Sequence, residues 1–140
     1  MYKSMNHSCF CLKFHIVLVV KYRRKIILGE LNKNLKKIIL EIAKKSDFSI
    51  DVMESDKNHI HILVDSVPKL SPLEIVRKLK QESTYNLWLT DETILKKYFW
   101  RERTLWTDGY FVCGVGENSL EIVQEYIRNQ GSNSSPKLKT

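Results

Sequence analysis

Phe48-Ser49-Ile50-Asp51-Val52-Met53-Glu54, then Asp56-Lys57-Asn58, then His59-Ile60-His61-Ile62-Leu63-Val64: this stretch decides the fold. Phe48, Ile50 and Val52 alternate with polar residues, the period of a half-buried strand ending near Glu54. The Asp-Lys-Asn triplet is a turn. The run from His59 to Val64 is a second strand following it closely, so the two should form an antiparallel hairpin.

Working outward, Phe14 to Val20 is short, β-branched and almost continuously apolar, as a central strand covered on both faces would be. It runs into the basic cluster Lys21-Tyr22-Arg23-Arg24-Lys25. From Leu31 the period lengthens: Leu31, Leu35, Ile38, Ile39, Ile42 and Ala43 recur at helical spacing, so an amphipathic helix ends near Ser46. Downstream of the hairpin, Ser71-Pro72-Leu73-Glu74 combines a capping serine, an early proline and a glutamate three residues on. Those are helix-start signals, and the helix runs to about Leu89. Residues 90 to 108 are less regular, with a short helix from Glu92 to Tyr98. Gly109 to Cys113 is a fourth strand, Gly114-Val115-Gly116 loosens the chain, and Asn118 and Ser119 can cap a last helix from Leu120 to Gln130 that Gly131 ends. The first six main elements, βαββαβ, predict a ferredoxin-like (RRM-like) α+β fold. Its sheet is antiparallel, both crossover helices lie on one face, and an extra C-terminal helix carries Tyr126. Residues 1–131 are expected to form one domain and 132–140 a flexible tail.

Composition narrows the class. The chain has 140 residues, 43% of them apolar, enough for one hydrophobic core and too few for two ordinary domains. No apolar run approaches the roughly 18 residues of a membrane span, and the first thirteen residues do not form a secretory signal. Lys and Arg number 23 against 16 Asp and Glu; the resulting +7 points to a polyanionic partner, nucleic acid or an anionic membrane surface. Three cysteines cannot complete a disulfide framework, and Cys9-Phe10-Cys11, even with His7 near, lacks zinc-knuckle spacing. A reduced, cytoplasmic protein is expected.

Two patterns suggest chemistry. On a strand, His59, His61 and Leu63 share one face while Ile60, Ile62 and Val64 share the other. Imidazoles at i and i+2, about 7 Å apart at Cα, can converge on one ion; the plain alternative is two half-exposed histidines on a polar sheet face. On the last helix Leu120, Val123 and Ile127 form a core stripe, while Tyr126 and Gln130 sit one turn apart on one face. Taken alone they are a partly buried tyrosine and a solvated glutamine. With the histidines they make a weak, open site for a divalent ion, one that an anionic phosphodiester would complete, with a tyrosine placed to attack phosphorus. Lys21, Arg23, Arg24 and Lys25, with Arg77, Lys78 and Lys80, could track a DNA backbone, with Tyr22 offering a stacking face. Lysines 33, 36 and 37 read as a solvated face. Trp100, Trp106, Tyr98 and Tyr110 read as core, and His15 as a satisfied structural histidine.

From about Lys13 to Gly131 the chain resembles the TnpA-type single-tyrosine HUH transposases, which move insertion sequences through single-stranded DNA. The blocks that carry the likeness are Phe14-His15-Ile16-Val17 with the basic cluster, His59-Ile60-His61, Leu79-Lys80-Gln81, Leu105-Trp106 with Gly109-Tyr110-Phe111, and Tyr126-Ile127-x-Asn129-Gln130. The resemblance implies that Tyr126 is the nucleophile and that His59, His61 and Gln130 hold Mg²⁺ or Mn²⁺. It also implies cleavage and rejoining of single-stranded DNA at hairpin-bearing element ends through a 5′-phosphotyrosine, with no nucleotide cofactor. A homodimer in which the tyrosine helix of one subunit completes the other's metal site is implied as well. Many relatives carry an acid where this chain has Asn58, which would lower metal affinity here. Two alternatives stand beside this reading: a domesticated relative processing chromosomal repeats, and a non-catalytic nucleic-acid-binding module on the same fold.

Overall fold

The computed structural model describes residues 3–5, 8–10 and 12–130. The expected tail, 132–140, lies outside the described residues, as do His7 and Cys11. A small antiparallel pair, β1 (Lys3–Met5) and β2 (Ser8–Phe10), precedes the main fold and was not foreseen from the sequence. The main sheet contains β3 (Leu12–Val19), β4 (Ser49–Asp56), β5 (His59–Ser66) and β6 (Phe111–Gly114) in the order β4-β5-β3-β6, every pairing antiparallel. The helices are α1 (Gly29–Lys44), α2 (Pro72–Thr90), α3 (Glu92–Tyr98) and α4 (Ser119–Gln130). This is the expected ferredoxin-like topology with the short α3 inserted before β6 and α4 added at the end.

Local chemistry explains the element ends. Ser71 Oγ accepts the Glu74 N–H at 3.1 Å while the Glu74 carboxylate accepts the Ser71 N–H at 2.8 Å, a complete capping box before Pro72. Gly29, with φ +52°, opens α1 in a left-handed conformation that a side chain would strain. It starts that helix two residues earlier than the apolar period suggests.

Strand alternation divides the core in two. Ile16 and Leu18 of β3 and Val20 just after it, with Ile60, Ile62 and Val64 of β5, face α1 and α2 and are sealed by Leu35, Ile39, Ile75 and Leu79. Val17 and Val19 face the other way and pack with Phe111, Val123 and Tyr126 under α4. Among the described residues, no helix lies on the half of that second face over β4 and β5.

Two sequence expectations are corrected. The register slips between Ile50 and Val52, a β-bulge at Asp51. A single extra residue reverses the facing of everything after it. Val52 therefore leaves the helix face and is exposed, Met53 turns inward, and Glu54 comes to lie opposite His61. Helix α4 is also rolled from its expected stripe: Leu120 is 58% exposed, and the buried positions are Ser119, Val123 and Tyr126, with Ile127 beside them.

Candidate active site

The histidine strand sits where the sequence places it. β5 is central, and Val19 and Val17 pair with His59 and His61, so both imidazoles stand on the sheet face that α4 half covers. Tyr126 lies on the same face, over Val17 and Val19. Its ring stacks on Phe111 with centroids 4.8 Å apart, and only 2% of the residue is exposed. A single chain thus sets the Tyr126 ring of α4 over β3, the strand next to the one that carries the histidine pair. Gln130 is the last residue of α4, one turn beyond Tyr126; its side chain lies outside what the structure describes.

Each histidine has its own partners. His59 Nδ1 lies 3.0 Å from Asn58 Oδ1, which can only accept, so the proton sits on Nδ1 and the Nε2 lone pair is free. Asn58 thereby orients the ring without a negative charge. His61 is occupied at both nitrogens: Nε2 shares a 2.8 Å hydrogen bond with His15 Nδ1, and Nδ1 faces Glu54 Oε1 at 3.5 Å. His15 continues the chain, its Nε2 lying 3.1 Å from Ser119 Oγ at the start of α4. Burial holds all three histidines below their ordinary pKa of 6.5. For His59, Asp56 opposes the shift while Arg23 and His61 add to it; for His61, Glu54 opposes it; for His15, the neighbouring His61 adds to it. Neutral imidazole is the form that can ligate a metal.

The residues fit a metal in part. His59 offers a free nitrogen in the right tautomer, whereas His61 offers one only when its bond to His15 opens. Among the described residues no group of three or more His, Cys, Asp or Glu could hold an ion by itself. Gln130 is the remaining candidate donor of the expected set.

Arg23 is what the sequence reading placed too coarsely. Just beyond β3, Val20 N–H donates to Asn58 O, and Lys21 N–H donates to Leu105 O. The chain then turns through Tyr22 (φ 60°) and Arg23 (φ 51°), both left-handed without being glycine. That turn throws Tyr22 outward and Arg23 inward. Arg23 acts electrostatically on both His59 and Tyr126, and its Nη1 is buried with no hydrogen-bond partner among the described residues. Burial raises the Tyr126 phenol above its ordinary pKa of 10, and the Arg23 charge opposes that rise. A buried guanidinium N–H with no acceptor among the described residues, within electrostatic range of a phenol, suits an incoming anion.

The other basic residues separate by role. Lys21 Nζ donates to Glu102 Oε2 at 3.2 Å, while Arg24 and Lys25 are exposed. Lys80 is engaged within the chain: its ammonium donates to the carbonyls of Thr107, Asp108 and Gly109 and pins the approach to β6. Lys78 pairs with Glu82. Trp106 is buried, donating to Ser83 Oγ at 2.9 Å, as expected of a core residue. Trp100 departs from expectation, being 71% exposed. His15 belongs to the site network, which only the β3–β5 register reveals: its strand parity with Val17 could have hinted at it.

Sheet, histidine strand and terminal helix together define a ferredoxin-like protein with its polar chemistry gathered under an added helix, the class in which tyrosine transposases fall by fold. Residues 8–130 match the family described as "Transposase IS200 like", and the chain belongs to that family. It is 34% identical over 128 residues to the transposase for insertion sequence element IS200 of Salmonella typhimurium, covering 91% of this chain and 82% of that one. It is 30% identical over 119 residues to the ISDra2 transposase TnpA of Deinococcus radiodurans, covering 85% and 84%. A crystal structure described as a transposase from Deinococcus radiodurans R1 superposes with a TM-score of 0.82 at 27% identity, covering 93% and 98%. A REP-associated tyrosine transposase bound to a REP hairpin shares the fold, with a TM-score of 0.56 at 12% identity over 94% of this chain and 74% of that one. The protein is accordingly a transposase, an enzyme of DNA cleavage and transfer. Among the described residues no helix is long and apolar enough to cross a membrane.

Proposed function

We propose that this transposase cleaves and rejoins single-stranded DNA at insertion-sequence ends, with Tyr126 as its nucleophile, as a cytoplasmic single-domain protein. The observation that carries the reading is the meeting of Tyr126 and the His59–His61 strand on one sheet face, with Arg23, in the turn that follows β3, burying an Nη1 that has no partner among the described residues. In the reaction the Tyr126 phenol gives up its proton and forms a bond to phosphorus while the P–O3′ bond breaks. The 3′-oxygen takes up a proton, and the 5′ end stays on the tyrosine as a phosphodiester. One such bond replaces another of similar energy, so rejoining needs no nucleotide.

Arg23 holds a non-bridging oxygen of the scissile phosphate and favours the phenolate as attack begins. Mg²⁺ or Mn²⁺, held by His59, His61 and Gln130, would supply Lewis-acid polarisation of the phosphate. Binding there requires His61 to exchange its His15 partner. Arg24 and Lys25, both exposed, meet the flanking backbone with Lys21, and Tyr22 offers its ring; the hairpin-bound fold relative supports a hairpin-bearing substrate.

A homodimer with the tyrosine helix exchanged between subunits is part of the proposal. Val52, Val115 and Leu120 line an open cleft of about 530 Å³ beside His61, an uncovered apolar rim that a second copy can cover. An exchanged α4 would remake on its partner the contacts it makes at home.

The test is direct. Incubated with single-stranded DNA from its element's ends and Mg²⁺, the protein should form a covalent adduct that survives denaturing electrophoresis. EDTA should abolish it, as should Tyr126→Phe, which keeps the stacked ring. An adduct of undiminished yield from Tyr126→Phe would remove Tyr126 from the mechanism.

A further inference from the structure

We propose that the cleft between the Lys21–Arg23 turn and the end of α3 is a pocket for one unstacked base of single-stranded DNA, with Trp100 as its stacking platform. The cleft is about 540 Å³ and is lined by Tyr22, Arg24, Tyr98, Trp100 and Arg101, with Phe99 at its base. Phe99 is buried, and the Tyr22 ring lies 6.4 Å from it, tilted by 36°. Above that floor Trp100 is 71% exposed and Tyr22 67%. Large aromatic surfaces left in water around one cleft are the informative case, since an ordinary core would have absorbed them.

The charges complement a nucleotide. Arg24 and Lys21 each stand 5.9 Å from the Tyr22 ring centre, and Arg101 closes another side. The one carboxylate in the lining, Glu102, already accepts from Lys21. Aromatic faces flanked by arginine are how sequence-tolerant single-strand sites hold bases, because every base has a π-face.

Backbone geometry ties the pocket to the reaction centre. Tyr22 and Arg23 are consecutive left-handed residues; the Tyr22 side chain lines the cleft, while the Nη1 of Arg23 beside it is buried. A strand whose scissile phosphate sits on Arg23 therefore delivers a neighbouring base to Tyr22 and Trp100. This assignment rests on the single-stranded-DNA reading above.

The experiment is an abasic scan across an element-end strand, with affinities measured for the wild-type protein, Trp100→Ala and Trp100→Phe. In wild type, loss of one particular base near the cleavage position should weaken binding about tenfold. Trp100→Ala should bind the intact strand about tenfold more weakly and be insensitive to that same abasic site; Trp100→Phe should recover most of both effects. Trp100 is outside the core, so its replacement leaves the fold intact, which circular dichroism checks. Wild-type binding with an unchanged abasic profile in Trp100→Ala would overturn the pocket while leaving the activity standing. Failure of the wild-type chain to bind any single strand would overturn the parent reading and this one with it.

Discussion

Arg23 separates from its neighbours at the scale of single residues. In the sequence it is one of four basic residues in a row of five; in the structure its Nη1 is buried with no acceptor among the described residues, while Lys21 bonds Glu102 and Arg24 and Lys25 are exposed. A guanidinium so placed acts on the charge that develops during attack more than on the strand at rest. Arg23→Ala should slow single-turnover cleavage about a hundredfold, the scale for losing one aimed donor, while strand affinity falls less than tenfold. It should also push the Tyr126 phenol further up, since the charge opposing its rise is gone. Rapid-quench cleavage assays and spectrophotometric titration of the phenol read the two effects separately. Arg24→Ala, at an exposed position, provides the contrast: binding should weaken with little change in the cleavage step. Equal effects from both substitutions would contradict the division of roles.

The elements β4, β5, β3 and α4 share a polar chain that runs from Glu54 through His61 and His15 to Ser119. It joins the histidine strand to the start of the tyrosine helix. His15, His59 and His61 each titrate lower in the folded protein than the ordinary 6.5, chiefly because burial penalises their charged form. Below 6.5 the unfolded chain therefore binds more protons than the native one, and stability falls with falling pH until the folded values are passed. Each fully neutral histidine contributes a slope of about 1.4 kcal/mol per pH unit. Urea unfolding at pH 7.5 and pH 5.5 should give a clearly lower midpoint at the acid value, and His15→Asn should reduce that difference by about a third. A midpoint that rises on acidification would mean that the buried imidazoles are charged in the native state.

For the whole molecule, the decisive matter is whose sheet α4 covers. In one chain Tyr126 is sealed against Val17, Val19 and Phe111 of its own sheet. The helix follows Gly114-Val115-Gly116, where a Cβ at either glycine would meet nothing within 4 Å, so space does not account for these glycines. Mixing a Tyr126→Phe chain with a His59→Ala chain decides between own-chain and exchanged sites. With sites formed between subunits, a mixed dimer contains one intact site, and cleavage returns from two inactive parents. With sites formed within each chain, every site lacks its nucleophile or a ligand. Persistent inactivity, with mixed dimers demonstrated by tagged pull-down, would remove the exchanged arrangement.

What the sequence determined by itself was the periodic pattern of the main elements and the signals that start them. Alternation marked the strands, the Ser71 to Glu74 signals started α2, and the parity of His59 and His61 put both imidazoles on one face. The βαββαβ order then left one sheet topology to expect, the one observed. The tertiary structure decided what depends on register and on packing angle. The Asp51 bulge cannot be read from alternation, yet it reversed Val52 and set Glu54 opposite His61. The roll of α4 traded Leu120 for Tyr126, because a sheet face already lined by Val17, Val19 and Phe111 accepts a stacked ring better than a second aliphatic row. His15 joined the site, Lys80 left the candidate DNA contacts, and Trp100 came out of the core, each through contacts made across many residues of chain. A sequence fixes which way a side chain points relative to its own element; only the packing of elements fixes what it points at.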